Sequence, residues 1–211
     1  MVTSSYNTLH QHLKFATAAA HSSLEGLLAK RGYFEGREQY IQYLQRFFAF
    51  QDEAERALEV ELTSAVVPDW SERKRAHLAK ADLATLDAPE RDFSRFSGRL
   101  PRVTWSEQVL GIVYVLEGST LGGAYLLKQL APLGINATHG GSYLASYGSQ
   151  RGRMWQRFLS RLEEAQRRQL RADSIAAAAI ATFAAARHYL TEAEESDAGV
   201  ITAARACPMV A

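Results

Sequence analysis

Apolar residues return at helical spacing along most of the chain. Leu13, Thr17, Leu24 and Leu28 share one face, and Gly32 stops that run. Tyr40, Leu44, Phe47, Phe48 and Ala54 do the same after Gly36. Thr104 followed by Glu107 has the form of a capping box and opens a helix running to about Leu130, where Pro132 and Gly134 end it. Asp173 is placed to cap the alanine-rich run from Ser174 to about Glu195. Prolines at 68, 89, 101, 132 and 208 leave long stretches in which helices can continue. No segment sustains the alternation of a strand. The pattern predicts an all-α fold, with helices near 6–31, 37–62, 71–86, 104–130, 149–170 and 173–195. Segments 63–70, 87–103 and 131–148 connect them. Ile175, Ile180, Phe183 and Leu190 among the alanines mark a smooth helix rather than a low-complexity linker. With no repeat, the expectation is one compact single-domain bundle over 1–211, core about 6–195, C-terminal tail 196–211.

Composition narrows the function classes. The 211 residues are 47% hydrophobic and 22% charged, which is globular usage. Lys plus Arg number 24 against 23 Asp plus Glu, so a general polyanion binder is excluded and no nucleic-acid partner is expected. A single cysteine, Cys207, excludes a disulfide framework and a cysteine-held zinc or iron–sulfur cluster within this chain. A reducing, cytoplasmic setting fits that usage. Met1 to Phe15 carries His10, His12 and Lys14 and lacks the apolar core of a secretory signal. The most apolar window, Val109 to Leu127, has Glu117 at its centre and predicts a buried helix rather than a membrane span.

Two features depart from simple packing. Gly118-Ser-Thr-Leu-Gly122-Gly123 lies inside a strongly predicted helix, although each interior glycine costs about 1 kcal/mol relative to alanine. Gly118 and Gly122 share a face and strip it of side chains. Close helix packing accounts for this, and so does a flat ligand lying against bare backbone. The second feature is His21, on the face of Leu13, Thr17, Leu24 and Leu28 and therefore expected to point inward. A buried, hydrogen-bonded core histidine satisfies that pattern. So does a metal ligand whose other ring nitrogen is held by an acceptor, with Glu25 one turn on as the holder. Together the two features frame a slot for a planar, largely apolar cofactor, and haem fits. His10, His12, His77, His139 and His188 lack such a setting and are expected to be solvated or packed.

Two segments carry a resemblance to a known family. Leu13-Lys-Phe-Ala-Thr17-Ala-Ala-Ala-His21-Ser-Ser-Leu24-Glu25 resembles the proximal helix of haem oxygenases of the bacterial, biliverdin-producing branch. Gly111-Ile-Val-Tyr114-Val-Leu-Glu117-Gly118-Ser-Thr-Leu-Gly122-Gly123 resembles the distal helix. Segments Tyr40–Glu53 and Trp155–Leu162 are more loosely similar. The resemblance implies His21 as the iron ligand with Glu25 behind it, and Gly118, Gly122 and Gly123 as the distal wall. It implies Lys14 near the haem propionates. Tyr114 matches a tyrosine common in members that cleave at the α-meso carbon. Ser119 stands where the animal-type branch has an aspartate that organises water, so the water-ordering groups stay open between Ser119 and freed backbone carbonyls.

The implied reaction is cleavage of haem, substrate and cofactor at once, by O2 and a reductant to biliverdin IXα, carbon monoxide and ferrous iron. No dinucleotide fingerprint or cluster ligand set is present, so electrons are expected from a ferredoxin, flavodoxin or reductase. Basic groups Arg73, Lys74 and Arg75, or Arg151, Arg153 and Arg157, are candidates to guide an acidic donor. A bacteriophytochrome receiving biliverdin is one consumer, iron release the other use. A haem carrier or sensor without turnover is the alternative, supported by Ser119. A thiaminase-type helical hydrolase ranks below both, because Cys207 sits beside Pro208 in the tail.

Overall fold

The computed structural model describes residues 8–191. Nine α-helices are formed among them: α1 (Leu9–Arg31), α2 (Arg37–Ala57), α3 (Glu61–Val66), α4 (Trp70–Arg73), α5 (Ala76–Thr85), α6 (Ser106–Leu130), α7 (Ser142–Ala145), α8 (Arg151–Arg167) and α9 (Ala172–Thr191). No strand occurs among the described residues, and the fold is all-α as the periodicity predicts. The helix start expected near 6, residues 192–195, the tail 196–211 and Cys207 lie outside the described residues.

Local chemistry sets the helix ends. Thr8 caps α1, its hydroxyl accepting from Gln11 N–H while Gln11 returns a bond to Thr8 N–H. Gly32 ends α1 with φ +60°, a left-handed conformation that favours glycine. The capping box expected from Thr104 and Glu107 sits one residue on: Trp105 is the N-cap, and Gln108 Oε1 accepts from its N–H at 2.7 Å. Asp173 lies within the first turn of α9 rather than at its cap, 3.2 Å from His12.

The helix expected over 37–62 stops at Ala57 and restarts as α3, inside the segment expected to connect. The helix expected over 71–86 is divided into α4 and α5. Tertiary capping explains the second break. Glu55 Oε1, from α2, accepts from the N–H groups of Arg75 and Ala76 at 2.6 and 2.9 Å, so α5 begins there. In the same way Asp82 of α5 accepts from Ser142 and Tyr143 N–H at 3.0 and 2.7 Å and starts α7 within the expected 131–148 connection.

Helix α9 is the central rod. Its alanine-rich surface lets α1 and α6 approach it on two sides: a Cβ on Gly111 of α6 would lie 2.5 Å from that of Ala178. The carbonyls of its last described turn are taken by three donors, Arg31 on Thr191 (2.5 Å), Tyr33 on Leu190 (2.9 Å) and Arg46 on Tyr189 (3.2 Å). One hydrophobic cluster joins all these helices. The stretch Ser106–Leu133 is long and apolar enough to cross a membrane, but 56% of its most apolar window is buried inside the protein, as a core helix would be.

Candidate active site

Helices α1 and α6 touch where Thr17 meets Tyr114, whose hydroxyl lies within hydrogen-bond reach of the threonine. One turn further on, about 6 Å along each axis, stand His21 on α1 and Gly118 on α6. A Cβ built on Gly118 or Gly122 would meet nothing within 4 Å. The bare face of α6 therefore borders open space. The other two glycines of the helix serve packing. A Cβ on Gly123 would meet the Leu144 carbonyl of α7 at 2.3 Å, and Gly111 abuts α9. The expected wall of three glycines is thus reduced to Gly118 and Gly122, with Gly123 turned to α7.

His21 does not point into the core as its spacing predicts. Its side chain is 55% exposed, because the inner stripe of α1 runs through Leu9, Leu13, Thr17 and Leu27, and Leu24 and Leu28 are half-buried. Phe183 of α9 takes the inner side, its ring edge-on to the imidazole at 5.8 Å. Glu25 Oε2 lies 3.3 Å from Nδ1, one turn on along α1. Lys14 is exposed on the same stripe. Tyr114 is buried; burial pushes its phenol up, against the hydrogen bond with Thr17.

Ser119 opens onto a buried polar chain that the sequence reading missed. Its hydroxyl donates to the Leu116 carbonyl at 2.7 Å and lies near the Tyr143 hydroxyl. Tyr143 donates to Gln51 Oε1 at 3.0 Å, and Gln51 Nε2 donates to Glu55 at 2.8 Å. Arg75, fully buried, lies over both the Tyr143 and Tyr147 rings at 5.6 Å and donates to the Leu116 carbonyl at 2.6 Å. Burial, offset by Arg75, leaves the Tyr143 phenol pushed up to about 12, so its proton is retained at neutral pH. The one available signal was Gln51 and Glu55 at positions where the stripe of α2 should be apolar.

A second cluster fixes the rotation of α6. Glu117, next to Gly118, accepts from Arg73 at 2.5 Å and from the Tyr147 hydroxyl at 2.8 Å. Asp69 holds the other edge of Arg73 through two bonds of 2.7 and 2.9 Å. Arg73 and Arg75 are both buried, which removes them as an exposed guide for an electron donor; Lys74 is paired with Glu59. Arg157 is likewise engaged, with Asp69 and Glu72.

The residues present fit a flat apolar group carrying a metal. The cradle at Gly118 and Gly122 is one that side chains would fill, and one imidazole offers a free nitrogen. Among the described residues no three His, Cys, Asp or Glu side chains converge, so a metal held here has no multi-residue cage of that size. The glycines make a separable prediction. Gly118→Ala and Gly122→Ala stabilise α6 by about 1 kcal/mol each, whereas Gly111→Ala and Gly123→Ala destabilise because their Cβ atoms collide. Thermal unfolding of the four variants checks this.

The comparisons agree with that chemistry. The Heme oxygenase family model matches residues 7–192. Heme oxygenase PigA of Pseudomonas aeruginosa is 30% identical over 159 residues, 74% of this chain and 78% of that protein. The NO- and CO-bound heme oxygenase of Neisseria meningitidis superposes with a TM-score of 0.76 at 25% identity, covering 90% of this chain and 96% of that one. Heme oxygenase from Leptospira interrogans, at 19% identity and a TM-score of 0.67, shares the fold over 88% of this chain and 100% of its own. This chain, an all-α protein with a bare glycine face on α6, belongs to the haem oxygenase family.

Proposed function

We propose that this protein, acting as one domain in the cytoplasm, cleaves haem at the α-meso carbon to biliverdin IXα, carbon monoxide and ferrous iron. The observation that carries the reading is the open backbone of Gly118 and Gly122 on α6, with Gly118 four residues beyond Tyr114 as His21 is four beyond Thr17 on α1. His21 Nε2 binds the iron and Glu25 keeps the proton on Nδ1, so the ligand stays a neutral imidazole. Bound haem supplies the iron at which O2 is reduced. With haem bound, the bare face of Gly118 and Gly122 would leave room for O2 on that side. Ser119, Tyr143 and Gln51 order water and pass protons to that side of the cleft, with Tyr143 as the retained O–H donor.

Lys14 holds a propionate and, with Tyr114, sets the in-plane rotation of the haem, which selects the α edge. Electrons come from a ferredoxin, flavodoxin or reductase. The exposed Arg153 is the group of the two basic clusters left to receive it, with no partner among the described residues. Biliverdin serves either iron release or a bacteriophytochrome. Haemin added with a reductant under air is expected to give a green verdin product; an unchanged haem spectrum would assign the slot to a carrier or sensor. Lys14→Ala is expected to turn a single biliverdin isomer into a mixture, read by chromatography, and an undiminished α product removes Lys14 from that role.

A further inference from the structure

We infer that His10 is a positioning residue for the α1–α6 crossing and thereby for the product isomer, an inference that rests on the proposed cleavage of haem. His10, Lys14, Thr17 and His21 follow one another at spacings of three and four, so they form a single stripe along α1. The stripe begins in an aromatic cluster. His10 stands edge-on to Tyr114 with ring centres 6.4 Å apart and to Trp155 of α8 at 5.7 Å, and Tyr114 and Trp155 are 6.1 Å apart. Tyr114 is therefore braced by His10 and by Trp155, while its hydroxyl meets Thr17. The turn that carries His10 is itself tied to α8, through Leu9 N–H on Gln166 Oε1 at 2.8 Å.

Geometry gives this cluster its consequence. The Thr17–Tyr114 contact is the point from which α1 and α6 run on to His21 and Gly118. A change in the Tyr114 ring shifts the spacing and tilt of the two walls, and Lys14 lies between His10 and that contact. The imidazole works as a ring of the right shape rather than as a cation: burial and the charge of Lys14 both hold its pKa below the ordinary value. Edge-on packing against two aromatic rings suits the neutral form.

The test uses the full chain loaded with haem, taken through a single turnover with reductant and air, and the biliverdin isomers separated. His10→Ala is expected to raise the minor isomers about tenfold while verdin still forms. His10→Phe, which keeps the ring contacts, is expected to restore one isomer. Trp155→Leu removes the other brace and is expected to behave as His10→Ala, which keeps the inference testable should His10→Ala not fold. One unchanged isomer from folded His10→Ala or Trp155→Leu overturns the inference and leaves the reading of the site intact. A mixture from His10→Phe overturns it as well. A wild-type chain that yields no biliverdin overturns both.

Discussion

Replacing His21 with alanine is expected to remove the histidine-ligated haem spectrum and to lower turnover by more than about 100-fold. The estimate follows from scale: groups that merely orient a metal ligand are worth about 10–100-fold, and His21 is proposed as the ligand itself. No second histidine is seen in contact with it among the described residues. Because the side chain is 55% exposed and its ring meets Phe183 only at the edge, the fold should survive its loss. Apoprotein melting therefore stays within a few degrees of wild type, which separates loss of a ligand from loss of structure. Retained iron–histidine coordination in the variant would show another residue to be the ligand.

Arg73→Ala is expected to give the largest loss of stability, about 3–5 kcal/mol, or roughly 6–20 °C in Tm for a chain of this size. The guanidinium is wholly buried and joins Asp69 to Glu117, whose carboxylate is 1% exposed. Removing it leaves Glu117 with Tyr147 and the neighbouring Arg75 as its remaining support, and burial already pushes this carboxyl up. Arg73→Met with Glu117→Met removes both charges together, so it should cost less than Arg73→Ala alone. Equal losses in the single and double variants would show that the pair contributes nothing beyond its volume. Chemical denaturation with a two-state fit measures the difference.

Long helices were legible because one apolar stripe decides each of them. α1, α6, α8 and α9 fall close to where their spacing and stop residues place them. The divided region 58–76 was not; its break before α5 is made by Glu55, a residue from another helix that reads locally as part of α2. The site shows the same division. Glycine inside a helix signals an anomaly from sequence, yet whether it packs or stays bare depends on what lies opposite. Gly111 and Gly123 face α9 and α7, Gly118 and Gly122 face nothing, and the four look alike in the chain. His21 was legible as a residue but not in its exposure, because its expected stripe turned slightly around α1. The Tyr143–Gln51–Glu55 chain was hidden for a further reason: polar side chains on a helix ordinarily mean solvent.

The three donors on the carbonyls of the last described turn of α9 bear on how the site is held. Arg31 and Tyr33 lie at the end of α1 and just beyond it, and Arg46 belongs to α2, so the bolt joins α9 to both neighbours at once. Phe183, two turns upstream, and the histidine it flanks then move as one floor. The other jaw is held through Gly111 near its start, through Glu117 at its middle and through Gly123 on its outer side, while nothing braces Gly118 and Gly122 from the front. Under the proposed function, widening for a large flat guest is therefore expected to be asymmetric, with the bolted floor held and the unbraced face of Gly118 and Gly122 yielding.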